Sequence, residues 1–520
     1  MESKQLYKVS KFVENELASE LRNELTNLSS LKRKHQYKAL LTYLQRLNAK
    51  VILVEKEHLS NSYASDYAAE YSFGLKHVNK SCKRLHFFSG DFSTLEKLLN
   101  TSQNELQKSY LGCITIRPIP NVLFGTILLA IPQNVKNSNF WAIRKYEIEI
   151  LGSVLAIDTL AFQEQDGLIS ACATIALWSS LHALHKLFKT PILSPNVISH
   201  RAHIRAHNRI RGADEVGLDI NDLCNVIKSV DLYPLVRTIN DSRKKDTGLI
   251  SSMIYPYAKM KLPVMLGLEL DDDEQHLITV NGFDPPTDFA QKGKNLYSYG
   301  GFVSIIYAHD DQTGPFTKVQ MVASEGIIKV IRWVNGNDEQ SAYSGNISSI
   351  IIALPKGIRI PFEDIYEQVH TFFEKGLALI YQLPKGEELN IIWDIYLTKA
   401  NDYRKQILDD NTDTYSSSQK KDLLIRTSLP NYIWVARGYS STIPFIEFVF
   451  DAMGFPNSHN LCAKFIFFSQ EVEKIFENHF YPTEDPPSQQ NFDLFVDHFE
   501  DQTNIFEMIA THIRSTRSLK

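Results

Sequence analysis

The sequence predicts an α+β protein: helices followed by antiparallel strands over residues 155–330, flanked by N- and C-terminal α/β regions. Three observations predict it. A chain of 520 residues is too long for one hydrophobic core and suggests about three domains of roughly 100–200 residues each. In the middle third, the apolar period turns from helical to alternating in one pass, helices first and strands afterwards. The first two of those strands flank the short acidic turn Asp271-Asp272-Asp273-Glu274, as antiparallel partners do.

Residues 1–154 read as an α/β region with a recognition or regulatory role. Helical periodicity covers Phe12 to Leu28 and Tyr37 to Leu47, and Val51-Ile52-Leu53-Val54 is a short strand. Ser102 to Lys108 is polar, a surface loop or helix. Cys113 to Pro118 and Phe124 to Leu129 read as paired strands around a turn at Pro120-Asn121. No reactive side chains gather here.

Residues 155–330 begin their helical half after Cys172, where a polar loop, Gln165-Asp166-Gly167, runs into an apolar helix. A basic helical stretch from Val197 to Arg211, a loop with Gly212 and Gly217, and a helix from Ile220 to Val230 follow. Beyond Pro234 the signal becomes strands: Pro263 to Leu270, His276 to Phe283 and Phe302 to Tyr307. Residues 331–520 are mixed again. Ile350 to Pro355 and Tyr432 to Ala436 are strand-like, Phe362 to Phe373 is helical, and Ile391 to Leu397 fits a strand or a short helix. Polar Asp409 to Lys421 is the best linker or mobile loop.

The net charge of −5 gives no general reason to expect a nucleic-acid or anionic-membrane partner. No apolar run reaches the ~18 residues of a membrane span; Val122 to Pro132 comes nearest, and the proline ends it. Met1-Glu2-Ser3-Lys4-Gln5 lacks the apolar core of a secretory signal, so a cytoplasmic location is expected. Cys82, Cys113, Cys172, Cys224 and Cys462 are scattered, odd in number and without CxxC spacing. That predicts reduced thiols and neither a disulfide framework nor a cysteine metal site.

Cys172 alone has a reactive setting, because a helix N-terminus stabilises a thiolate. A cysteine hydrolase also needs a base, a group to orient the base, and oxyanion donors. His276 is the best base, since it opens an apolar strand directly after a charged turn. Asp284 lies roughly 25 Å along that strand and is too far to orient it. If strand 276–283 pairs with 302–309 so that 283 faces 302, then 309 faces 276 and the pair Asp310-Asp311 arrives beside the ring. Asp310 is the choice, with Asp311 close behind. Gln165, seven residues before Cys172, supplies a side-chain oxyanion donor, and the Cys172 N–H a second.

Other candidates carry less. His200, His203 and His207 have the spacing of metal ligands on one helix face, but Arg201, Arg205, Arg209 and Arg211 crowd the segment with positive charge. A solvated basic helix is expected, and no metal site. His182 and His185 lie about 15–20 Å along the helix from the thiol, too far to serve it. Asp271 to Glu274 lacks the alternating ligands of a calcium loop.

Gln165 and Cys172 before an Ala-rich helix, a helical pair ending at Gly217-Leu218, and Leu262-Pro263 before a strand resemble the papain-like cysteine peptidase superfamily. The run from His276 to Phe283 is similar to the histidine strand of its double-glycine-leader peptidase branch, and an aspartate after the next strand fits that branch too. The resemblance covers residues 160–320. It implies a papain-like core in which Cys172 attacks an amide carbonyl, His276 delivers a proton to the leaving amine, Asp310 fixes the imidazole tautomer, and water resolves the acyl-enzyme. It implies no cofactor and a protein or peptide substrate. A cytoplasmic protease must be restrained, so a regulatory partner, a trigger or a covering segment is expected; bacterial stress or phage defence would suit it, although no residue points there. Two alternatives stay open: deamidation or transglutamination at the same site, and a degenerate fold used for binding or sensing.

Overall fold

The computed structural model describes residues 5–22, 35–73, 78–119, 122, 124–132, 139–140, 142–165, 171–203, 217–239, 247–270, 274–286, 297–324, 327–333, 342–373, 391–411, 414–440, 442–455, 462–480, 505, 508–509 and 511–513. The chain is mixed α+β and divides into two units. The first holds residues 1–247, 261–285 and 304–355; the second holds 248–260, 286–303 and 356–520.

The first unit opens with strands β1 (Tyr7–Lys11), β2 (Val51–His58), β3 (Cys82–Phe88), β4 (Tyr110–Ile116) and β5 (Thr126–Leu129). Then come β6 (Asn139–Phe140), β7 (Arg144–Ile150), β8 (Ser153–Thr159) and β9 (Phe162–Gln163). Six of them form one sheet in the order β1-β2-β3-β4-β5-β9. Its ladders are all antiparallel, and β4 pairs with β5 where two strands around a turn were expected. The apolar run at 51–54 has buried residues on both faces. Ile52 and Val54 pack under the helices Glu14–Leu21 and His35–Arg46, while Val51 and Leu53 face the β7–β8 hairpin through Ile148, Leu155 and Ile157. That hairpin turns at Leu151-Gly152, both at positive φ, as a two-residue connection between twisted strands requires. The predicted helix at Phe12 is present as Glu14–Leu21, and Ser102 to Lys108 falls on the helix Gln103–Ser109. Pro120 and Asn121 lie outside the described residues.

The second half of this unit follows the expected order. Helices Cys172–Phe188, Pro195–His203 and Ile220–Ser229 precede β10 (Leu232–Thr238), β11 (Val264–Leu270) and β12 (Gln275–Phe283). The short β13 (Tyr297–Ser298) belongs to the second unit's sheet. Next are β14 (Ile305–Asp310), β15 (Gly314–Ser324), β16 (Ile327–Trp333) and β17 (Ala342–Pro355). Their order is β10-β17-β11-β12-β14-β15-β16, with β6 added at β12, and β16 pairs with β17 as well. The sheet therefore closes on itself. Residues 345–352 of β17 pair with β11 on one edge; its other edge takes β16 at 342–346 and β10 at 349–355. A strand 14 residues long can serve three neighbours. Gly267 permits the close approach, since a Cβ there would collide with the Ser349 hydroxyl.

The predicted domain limits move accordingly. The boundary at 154/155 falls inside β8, and the boundary at 330/331 cuts β16 and leaves out β17. The apolar run 350–355 is thus the closing strand of the barrel and not the start of a third domain.

The second unit is built on the sheet β13-β18-β19-β20-β21, with β18 (Ile391–Lys399), β19 (Tyr432–Ser440), β20 (Ile443–Asp451) and β21 (Cys462–Phe467). Only β13–β18 is parallel among its ladders. Trp393, Trp434, Phe362, Phe372 and Phe448 fill its core. Residues 391–397, ambiguous in sequence, are strand. The polar stretch 409–421 is no linker where it is described. Tyr415 is buried with its hydroxyl on Glu447 Oε1 at 3.0 Å, and Ser416 and Gln419 form a capping box on the helix Ser417–Lys421. Tyr415 thereby joins Tyr403 and Arg437 in satisfying the buried Glu447 carboxylate.

Candidate active site

Cys172 is the first residue of the helix Cys172–Phe188. Its N-cap, Ala171, is extended and offers no side chain to the free N–H groups of the first turn. The helix is apolar nearly all round, with Leu177, Leu181 and Leu184 fully buried, and it packs against β9, β11 and β12. Two hydroxyls fix its placement. Thr279 Oγ1 donates to Ala176 O at 2.9 Å from β12, and Ser179 Oγ donates to Ala161 O at 2.7 Å. Cys172 itself is only half-buried, whereas Cys82, Cys113 and Cys462 are buried; all five thiols are free.

His276 stands at the start of β12, opposite Leu268 of β11, and is 5% exposed. Its Nε2 lies 2.9 Å from Asp310 Oδ1 and 3.7 Å from Asp311 Oδ1. The thiol of Cys172 lies close enough to the same ring to help raise its pKa. With Nε2 taken by Asp310, Nδ1 is the nitrogen left for sulfur. Burial alone would lower the imidazole pKa, but the charge and hydrogen bond of Asp310, the contact with Cys172 and the charge of Asp311 outweigh it and raise it to about 10.

The two aspartates differ in environment. Burial works against the ionised Asp310, yet its carboxyl is held well below the usual range by His276 and Arg332 and by the bonds from His276 and the Gln312 N–H. Its Oδ1 accepts from Gln312 N at 3.0 Å as well as from His276, and its Oδ2 accepts from Arg332 Nη1 at 2.9 Å. Asp311 is held more weakly, with His276 Nε2 3.7 Å from its Oδ1. Its Oδ2 is buried without a hydrogen-bond partner among the described residues. Burial pushes its pKa up, against the pull of His276 and with the help of Asp310, to about 6.

The strand register behind this meeting is not the predicted one. The β12–β14 ladder pairs Thr279 with His309 and Phe283 with Ile306, a shift of three to four residues from 276 opposite 309. Residues 299–302 form a 3-10 turn, so β14 starts at Ile305 and not at Phe302. The carboxylate still arrives, because the chain turns at 311–313, closed by Thr313 N on Asp310 O, directly after the last paired residue.

Gln165 is exposed. Two residues earlier, Gln163 is 1% exposed and its amide Nε2 has no hydrogen-bond partner among the described residues. Gln163 belongs to β9, paired with Thr126 of β5, and the following Glu164 is held by Arg117 and by the Phe124 N–H. Sequence reading passed over Gln163 because it looked only for a glutamine in the polar loop. It also passed over His309, whose ring is a neutral strut. Nε2 donates to Leu160 O at 3.1 Å, Nδ1 accepts from Phe316 N at 3.1 Å, and burial holds the pKa down to about 3. Arg332 lay beyond the expected peptidase limits.

The excluded residues are engaged elsewhere. Asp284 accepts from Tyr307 OH at 3.1 Å. His182 packs on Trp178, with Nδ1 3.2 Å from Tyr146 OH, and burial lowers its pKa to about 3; His185 Nδ1 bonds Thr190 O. His200 is exposed on the helix Pro195–His203. His207, Arg205, Arg209, Arg211 and Asp271 to Asp273 lie outside the described residues. Among the described residues, His276, Asp310 and Asp311 are the one group whose ligand atoms come close enough together for a metal ion, all within 4.8 Å. There the two carboxylates already face a raised-pKa imidazole and the buried Arg332, which oppose a further cation. Among the described residues no helix is long and apolar enough to cross a membrane.

Compared with known proteins, the sequence matches no family model and no curated protein.

Proposed function

We propose that the chain is a papain-like cysteine peptidase that hydrolyses a peptide bond through Cys172, His276 and Asp310. One observation carries the reading: a single buried imidazole has a carboxylate on Nε2 and a half-buried helix-terminal thiol close by. The closed antiparallel barrel beside a thiol-bearing helix supports the same fold reading. Five free thiols accord with the reducing cytoplasm.

The chemistry follows from these groups. The Cys172 sulfur forms a bond to the carbonyl carbon, and the carbonyl oxygen becomes an oxyanion. The N–H of Cys172 at the helix end and the buried amide of Gln163, whose Nε2 has no partner among the described residues, are the donors assigned to receive it. His276 gives its proton to the leaving nitrogen as the C–N bond breaks, with Asp310 holding the other ring nitrogen. Water, deprotonated by His276, then displaces the thiol. The test is cleavage-site profiling of cell lysate with the wild type and with Cys172→Ala. New peptide termini that depend on Cys172 are expected. Identical termini with both proteins would remove the assignment, and Cys172-dependent deamidation without new termini would transfer it to the deamidase alternative.

A further inference from the structure

The peptidase reading leaves the buried cation beside Asp310 without a role. Arg332, on β16, is 1% exposed and lies outside residues 160–320. Its Nη1 donates to Asp310 Oδ2 and to Gln312 Oε1, both at 2.9 Å, and its guanidinium lies 5.7 Å from the Tyr343 ring centroid. The other oxygen of Asp310 is occupied by His276 Nε2 and the Gln312 N–H. Each carboxylate oxygen therefore has its own cationic donor, and rotation of the carboxylate would break bonds on both sides. Burying a guanidinium is costly and is tolerated only with close partners. Among the described residues, the only carboxylate it bonds is the one that touches the histidine.

We propose that Arg332 is a positioning residue of this site: it locks Asp310 in the orientation that holds the Nε2 proton of His276 and so turns Nδ1 toward Cys172. The inference rests on Cys172 and His276 being the reactive pair. The titratable groups around Asp310 are His276 from β12, the adjacent Asp311 and Arg332 from β16, with Cys172 across the ring. Of these, Arg332 is the one whose positive charge does not depend on pH in the working range. It keeps Asp310 ionised when acidification would otherwise protonate it and release the ring.

The test reads the alkylation rate of Cys172 by iodoacetamide against pH, with Cys172→Ala as the blank and folding checked by circular dichroism. In the wild type, fast labelling is expected to persist into the acid range. In Arg332→Gln the loss of labelling on acidification should move up by about one pH unit, a tenfold slower rate on that limb. Arg332→Lys should move it less, because an ammonium retains the charge but not the planar guanidinium whose Nη1 reaches both Asp310 and Gln312. A folded Arg332→Gln protein with the wild-type limb overturns the proposal. If Arg332→Gln does not fold, Arg332→Lys decides: a small upward shift supports the proposal and an unchanged limb overturns it. Wild-type labelling that rises only in the range of an ordinary thiol would overturn the peptidase reading as well.

Discussion

His276 Nε2 lies 2.9 Å from Asp310 Oδ1, although the two residues are not partners on the β12–β14 ladder. The contact is made past the end of the ladder, by a carboxylate at the strand terminus whose other oxygen is tied to Arg332. It depends on charge as well as shape. Asp310→Asn keeps the shape, leaves Arg332 buried without a counter-ion, and lets the amide present either end to the ring. Turnover should fall by about 10³–10⁴, and stability by about 3–5 kcal/mol, as when one partner of a buried pair is removed. Steady-state kinetics and urea unfolding check both. Turnover within tenfold of wild type would exclude Asp310 as the orienting group.

Asp311→Asn should behave in the opposite way. Its carboxyl is pushed up to about 6 by burial, with Asp310 adding to the shift, and one of its oxygens has no partner among the described residues. A carboxyl whose folded pKa is raised costs stability once it ionises, so the wild type loses stability as pH rises from about 4 through 6. The variant escapes that loss. Its advantage should be full above pH 6 and vanish as pH falls toward 4, with turnover within about tenfold of wild type. Unfolding curves at pH 4 and pH 8 decide this, and they separate the two aspartates that the sequence left side by side.

That ambiguity shows what was legible and what was not. The thiol, the histidine and the acidic pair were readable because each sits at a junction between polar and apolar sequence, where a strand or helix begins or ends. The order of helices before strands was readable from the change of period. Register was not, because a one-residue bulge at Asn281 and a 3-10 turn at Tyr299 to Phe302 shift a ladder in a way the sequence pattern does not mark. The closing strand β17 was split from its barrel because its partners β10 and β11 lie over a hundred and about eighty residues earlier, a separation that no local pattern records. Gln163 was missed for a related reason: its burial comes from pairing with β5, far upstream.

The two glutamines give a direct contrast. Gln163→Ala removes a buried donor that has no partner among the described residues and should lower turnover by about 10²–10³. Gln165→Ala alters an exposed side chain and should leave turnover unchanged. Neither should change iodoacetamide alkylation of Cys172, since no oxyanion forms in that reaction. Equal turnover for Gln163→Ala and wild type would leave the Cys172 N–H as the only side of the oxyanion site that these residues supply.

The pH dependence of His276 is the most specific consequence of the cluster. Burial favours the neutral ring, but Asp310, Cys172 and Asp311 together raise its pKa to about 10. A histidine with a raised folded pKa contributes stability that is fully present below its unfolded value of about 6.5 and is lost as pH rises through its folded value. The stability difference between wild type and His276→Gln should therefore be flat below pH 6, shrink from there upward, and be gone near pH 10. Turnover should follow the same group, because the imidazolium gives the leaving amine its proton, so the alkaline limb belongs near 10 and not near 7. Urea unfolding and initial rates from pH 5 to 10.5 measure both. An alkaline limb at 6.5, with a stability difference already lost by pH 8, would mean that Asp310 does not hold the proton on Nε2 in solution.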